Sequence, residues 1–113
     1  MQIKFGSSKG RCRQRTLRKF VKRLDRGMNP SDLTFDGIPA DWVVCEFSVN
    51  GQTRRLQEGD IPGDMFAIKP MIYSFIDFTT IPSGAKVVLA VQYIGDAPSA
   101  PFSCVLQGRA AKA

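Results

Sequence analysis

Histidine is absent from this sequence of 113 residues. That removes at once the commonest acid–base group at neutral pH and the commonest metal ligand. Cysteine is scarce. Cys12, Cys45 and Cys104 are widely spaced and odd in number, with no Cys-x-x-Cys pair, which argues for reduced thiols rather than a disulfide framework or a zinc site. Long apolar runs are missing too. None approaches the roughly 18 residues that span a bilayer, and no apolar stretch of roughly 7–15 residues follows the basic N-terminus as a secretory signal would require. Acids are nearly absent from the first 26 residues, where Asp25 stands alone.

What is present is basic charge in one place. Residues 1–26 hold ten Lys or Arg and carry a net +9, whereas residues 27–113 hold six against nine acids, a net −3. An apolar fraction of 43% and a charged fraction of 23% are those of a globular chain, and the length suits one domain with a modest core. The asymmetry is the strongest signal in the sequence and points to a polyanionic partner.

The opening "MQIKFGSSKGRCRQR" offers a short strand over Met1–Phe5 and then a loose Gly/Ser hinge. "GSSKG" is not a phosphate-cradling loop, because Lys9 precedes Gly10 and no Ser or Thr follows. From Thr16 to Arg26 the spacing predicts a helix: Leu17, Phe20, Val21 and Leu24 fall within an arc of about 100°. Arg18, Lys19, Lys22, Arg23 and Arg26 take the opposite side, with Thr16 as N-cap and Gly27 as the C-terminal stop. "MNPSDLTFDGIPAD" (28–41) reads as turns, with a short helical turn near Ser31.

Beyond it the pattern becomes β. "WVVCEFSV" (Trp42–Val49) alternates, which predicts Val43, Cys45, Phe47 and Val49 on one face and Trp42, Val44, Glu46 and Ser48 on the other. Asn50-Gly51 is a strong hairpin signal, placing Glu46 opposite Arg55 and Cys45 opposite Leu56. "MFAIKPMIYSFIDFTTI" (65–81) predicts one or two strands broken at Pro70. "KVVLAVQYI" (86–94) predicts a strand covered on both faces, "FSCVL" (102–106) a last strand, and "QGRAAKA" (107–113) a frayed tail. The expected fold is therefore mainly β: a small antiparallel β-sandwich or barrel of about 5–7 strands, preceded by a basic amphipathic α-helix. Its parts would be a basic arm and helix (1–27), a turn-rich connection (28–41), an antiparallel β-domain (42–107) and the tail (108–113).

Enzymatic constellations are weak. Asp36, Asp41, Asp60 and Asp64 lie in Pro/Gly-rich polar stretches where turn formation explains them, and no nucleophile elbow or Gly-rich nucleotide loop is present. No enzyme activity, cofactor, metal or small-molecule substrate is expected. Cys45 and Cys104 read as core residues, while arginines around Cys12 would depress its pKa.

Nucleic-acid binding is the favoured class. Lys4, Lys9, Arg11, Arg13, Arg15, Arg18, Lys19, Lys22, Arg23 and Arg26 suit phosphates through charge and bidentate hydrogen bonding, with Arg54 and Arg55 extending the surface. Trp42 is the candidate stacking platform, ahead of Tyr73, Phe75, Phe78 and Tyr93. A basic arm ahead of a compact β-domain resembles small viral coat and nucleocapsid proteins in organisation, with no family motif matched. That resemblance implies a self-assembling homo-oligomer that neutralises phosphates without reading sequence, in a cytoplasmic or virion setting. A single-strand DNA or RNA binder with an OB-like barrel is the first alternative, a module docking an acidic protein the second, and membrane-surface binding ranks behind them.

Overall fold

The computed structural model describes residues 2–68 and 71–111, without the side chains of residues 7–9 and 71. Among the described residues eight strands follow in chain order: β1 (Gln2–Arg13), β2 (Leu17–Arg23), β3 (Met28–Phe35), β4 (Trp42–Val49), β5 (Gln52–Thr53), β6 (Ile61–Pro62), β7 (Lys86–Tyr93) and β8 (Ser99–Ala110). They build two antiparallel sheets. The first has the order β1-β8-β3 and the second β2-β7-β4-β5, with β6 also pairing on β4.

The central strands are the most apolar ones. In β7, Val87, Leu89, Val91 and Tyr93 point inward at period two, and in β8 Phe102, Cys104 and Leu106 do the same. Phe102 joins the layers: its ring lies 5.0 Å from Phe20 of β2, 5.8 Å from Phe35 of β3 and 4.7 Å from Trp42 of β4. Pairs of this kind add to area burial through ring geometry.

The expected helix over Thr16–Arg26 is a strand. Leu17–Arg23 pairs residue by residue with β7, from Leu17↔Gln92 to Arg23↔Lys86. Its apolar spacing satisfies a helix, but without β2 the main-chain groups along one side of β7 would lack partners, and that tertiary demand outweighs a local preference of tenths of a kcal/mol per residue. Nor is there an arm apart from a β-domain, since β1 is a strand of the first sheet and β2 of the second. Residues 28–35, expected as turns, form edge strand β3. Pro30 is tolerated there because an edge has a side that needs no donor, and the register shifts between Pro30 and Asp32. The tail is also shorter than expected, because β8 pairs through Ala110 with Met28; residues 112–113 lie outside the described region. Among the described residues of the stretch 65–81, 3-10 turns at Gly63–Phe66 and Met71–Ser74 stand where strands were expected, and Pro70, the expected break, lies outside the described residues.

Two irregularities set the faces. In β4 the register shifts between Val44 and Glu46, so Cys45 is an inserted bulge residue. Trp42 and Val44 before it and Phe47 and Val49 after it therefore all face the core, reversing the expected assignment for the first half of the strand. In β1, Ser7 pairs with Phe102 and Arg11 with Pro101, leaving residues 8–10 as the extra backbone of a wide bulge. Gly6 opens that bulge at φ +76, where a Cβ would sit 2.3 Å from the Phe102 carbonyl oxygen. Glycine alone meets both conditions.

The hairpin forms at Asn50 (φ 53) and Gly51 (φ 81), the doubly left-handed pair of a type I′ turn. Ser48↔Thr53 and Val49↔Gln52 follow the expected register. The ladder then stops, because Arg55 bridges to Ile76. Glu46–Arg55 and Cys45–Leu56 are therefore not cross-strand pairs.

Candidate nucleic-acid interface

Strand geometry sorts the basic residues differently from a helix. In β1, Lys4, Arg11 and Arg13 alternate with buried Phe5 and Cys12 and stand exposed on the outer face of the first sheet. Arg11 is fixed there by donating from Nε to Ser99 Oγ (2.9 Å) and from Nη2 to the Ser99 carbonyl (3.0 Å). Lys9 falls in the wide bulge, and its side chain lies outside the described residues. Arg15 turns the corner into β2 with a left-handed φ of 60, its N–H donating to the Tyr93 carbonyl at 2.8 Å.

β2 is an edge strand and its cations are all exposed. Lys19 and Arg23 share the outer face of the second sheet with Leu17 and Val21. Arg18 and Lys22 share the opposite side with Phe20, across from buried Val91, Val87 and Leu89. Arg18 lies 5.1 Å from the Phe20 ring centroid and donates to the Arg11 carbonyl at 2.7 Å, while Arg23 donates to the Gly84 carbonyl at 3.2 Å. Both acceptors are uncharged, so neither guanidinium is neutralised. Arg26 is exposed beyond the strand, in the loop leading to β3. Lys and Arg along an edge also keep two sheets from pairing edge to edge, a role that such a row serves whatever else it binds.

On the outer face of the second sheet a groove of about 360 Å³ opens beside this edge, lined in part by Lys19, Val21, Glu46, Arg55, Lys86 and Val88. Its floor follows the ladder, with Val21↔Val88↔Ser48↔Thr53 in one row and Lys19↔Ala90↔Glu46 in the next. Asn50 Oδ1 accepts the Lys86 N–H at 3.0 Å and so ties the hairpin tip to the start of β7. Ser48 Oγ donates to Glu46 Oε2 at 3.3 Å. Lys86, Glu46 and Ser48 were not singled out as site residues; the outward positions of β7 from Lys86 and the shared face of Glu46 and Ser48 in β4 were the signals that could have found them.

Three expected site residues change role. Trp42 is 3% exposed, 5.1 Å from the Tyr93 ring and 4.7 Å from Phe102, so it presents no face on which a base could stack. The bulge at Cys45 is the cause, since it turns Trp42 inward. Arg54 is half-buried and donates to the Thr79 and Thr80 carbonyls at 2.5 and 3.2 Å, fastening the loop before β7 instead of extending a basic surface. Arg55 does reach the groove. Of the other aromatics, Tyr93 is buried, Phe75 and Phe78 are half-buried, and Tyr73 is 49% exposed with its hydroxyl donating to the Ser31 carbonyl at 2.9 Å.

Thiol chemistry is suppressed. Burial pushes the Cys12 thiol up despite the opposing charge and hydrogen bond of Arg18, correcting the expected depression. Burial raises Cys45 to about 11, helped by Asp60, and holds Cys104 well above the usual thiol range. Among the described residues, no group of three or more His, Cys, Asp or Glu side chains could hold a metal ion, and no helix is long and apolar enough to cross a membrane. Compared with models of known protein families, with characterised proteins and with solved structures, the chain matches none.

Proposed function

We propose that this protein is a non-enzymatic structural protein of coat type that binds nucleic acid through its phosphate backbone and assembles with copies of itself. The observation that carries the reading is the β2 edge, where Arg18, Lys19, Lys22 and Arg23 are exposed and Arg11, Arg13 and Arg15 continue the charge into β1. Such a surface binds a polyanion by releasing its counterions and reads no bases.

The strand order supports the coat reading. The chain crosses between the sheets at every step from β1 to β4 and again from β7 to β8, and β1 pairs with β8, β2 with β7 and β4 with β5. That nesting is the winding of a double-sheet jelly roll, an architecture shared by viral capsid, lectin and cupin domains. β6 departs from it by pairing with β4. Fold alone does not choose among those uses; the basic edge favours the first. Base stacking loses ground because its best platform, Trp42, is in the core. A second reading draws on Leu17 and Val21, which are 51% and 53% exposed on the same edge strand: an acidic protein segment adding as a strand to β2 would cover them.

The test is fluorescence anisotropy of the protein with labelled single-stranded and duplex oligonucleotides across a salt series. The expected outcome is a linear fall of log affinity with log salt, at about 0.7 per phosphate contact on single strands and 0.9 on duplex. Absence of binding at low salt would sink the proposal and leave the acidic-protein reading.

A further inference from the structure

Trp42 lies in the core, yet the basic edge has an aromatic ring of its own. Phe20 stands in the middle of β2, on the side shared with Arg18 and Lys22. Its ring stacks on Phe102 of the other sheet, with 5.0 Å between centroids and 27° between planes. Arg18 Cζ stands 5.1 Å from the Phe20 centroid. Phe102 is 1% exposed, Phe20 is half-buried and Arg18 is exposed. The three therefore form a stack that runs outward from the core and ends in a guanidinium.

That guanidinium is already held. Arg18 Nη1 donates to the Arg11 carbonyl at 2.7 Å, reaching from the edge of the second sheet to the edge strand of the first. A planar group fixed in this way loses little freedom when another flat group joins it, and nucleobases stack on guanidinium planes as they do on aromatic rings. The surrounding charge suits the backbone that would bring the base. Neither β1 nor β2 contains an acid. Lys22 is exposed two residues beyond Phe20, about 7 Å along the strand, and Arg11 and Arg13 are exposed on β1.

We infer that Arg18, backed by Phe20 and Phe102, is a stacking site for one unpaired base of a single-stranded nucleic acid, with Lys22 meeting a neighbouring phosphate. The inference rests on the polyanion reading and adds the strand type to it. Bases in a duplex are stacked on one another, so a duplex offers phosphates to β2 but no base to Arg18 without the cost of unstacking. Every base has a π-face, so the site takes a base without reading which one it is.

The test compares binding of the full chain to a deoxyadenosine oligonucleotide and to an abasic oligonucleotide of equal length, by fluorescence anisotropy at matched salt. Both strands carry the same phosphates, so the ratio of their affinities isolates the bases. The deoxyadenosine strand should bind at least about fivefold more tightly, the low end for one stacked base. Arg18→Lys keeps the charge and loses the plane. It should bring the ratio close to one without flattening the salt slope. Phe20→Leu keeps every cation and an apolar side chain against Phe102, and it should also lower the ratio, with circular dichroism confirming the β-structure. A ratio near one in the unaltered protein overturns the stacking site while leaving phosphate binding in place, and so does a ratio that either variant leaves unchanged. Absence of binding to both strands at low salt refutes the polyanion reading, and the stacking site with it.

Discussion

Replacing cations of β2 in pairs tests both the strand and its role. On a helix, Arg18, Lys19, Lys22 and Arg23 would share one face, and any two would be equivalent to a bound polyanion. On the observed strand, Lys19 and Arg23 face outward over the second sheet, while Arg18 and Lys22 face the other side. Lys19 and Arg23 are four residues apart, a separation of about 13 Å along the strand, enough for each to meet a different phosphate. The double variant Lys19→Gln/Arg23→Gln should therefore lose two contacts, and its salt slope on single strands should flatten by about 1.4. Between roughly 50 and 200 mM salt that narrows the fall in affinity by about sevenfold. Arg18→Gln/Lys22→Gln should flatten the slope by about half as much, the single contact of Lys22, because Arg18 is held by the Arg11 carbonyl and the Phe20 ring. The assay is anisotropy with a thymidine oligonucleotide over that salt range, with circular dichroism to check that each variant keeps its β-structure. Equal losses from the two doubles, or an unchanged slope for Lys19→Gln/Arg23→Gln, would refute the argument.

Other expectations concern stability. Trp42→Ala should destabilise the fold by about 3–5 kcal/mol in urea unfolding, since the ring is 3% exposed between Tyr93 and Phe102; a loss under about 1 kcal/mol, with weakened binding instead, would mean an exposed platform after all. Gly6→Ala should cost about 1–3 kcal/mol, because φ is +76 and the new Cβ meets the Phe102 carbonyl, and thermal melting reads the loss. Stability should also decline with alkali. The folded Cys45 thiol is pushed from 9.0 up to about 11, so the contribution of its neutral form is complete below about pH 9 and is lost as the pH rises through about 11. Cys45→Ala should show a shallower alkaline limb in urea midpoints measured across that window. All three thiols should resist a disulfide reagent at pH 8 in the native protein and react on unfolding; fast labelling of Cys12 would contradict its burial.

Much of the β-domain was legible from local chemistry. Asn50-Gly51 specified its turn because both residues tolerate a positive φ, and the apolar runs of β7 and β8 marked them as central strands. The loose hinge read at "GSSKG" is instead part of β1, which runs through it with a bulge that Gly6 opens. The faces of β4 were not legible, because one inserted residue reverses the alternation and nothing in "WVVCEFSV" marks Cys45 as the insertion.

The sequence by itself determined that the chain is mainly β, that it lacks histidine chemistry, and that its positive charge is gathered in the first 26 residues. Each of these follows from composition or from short-range patterns, which need no partner in space. The tertiary structure alone decided that "LRKFVKR" is a strand. Its spacing serves either a helix or a sheet edge, and the choice came from β7, whose backbone donors and acceptors are 69 or more residues away for most of that pairing's length and more than 60 throughout. The same pairing divided the cations between two sides of a sheet and brought Lys19 into one groove with Lys86 and Arg55. A groove built from β2, β4 and β7 and the chain beyond β5 belongs to no single segment, so no local pattern could have announced it.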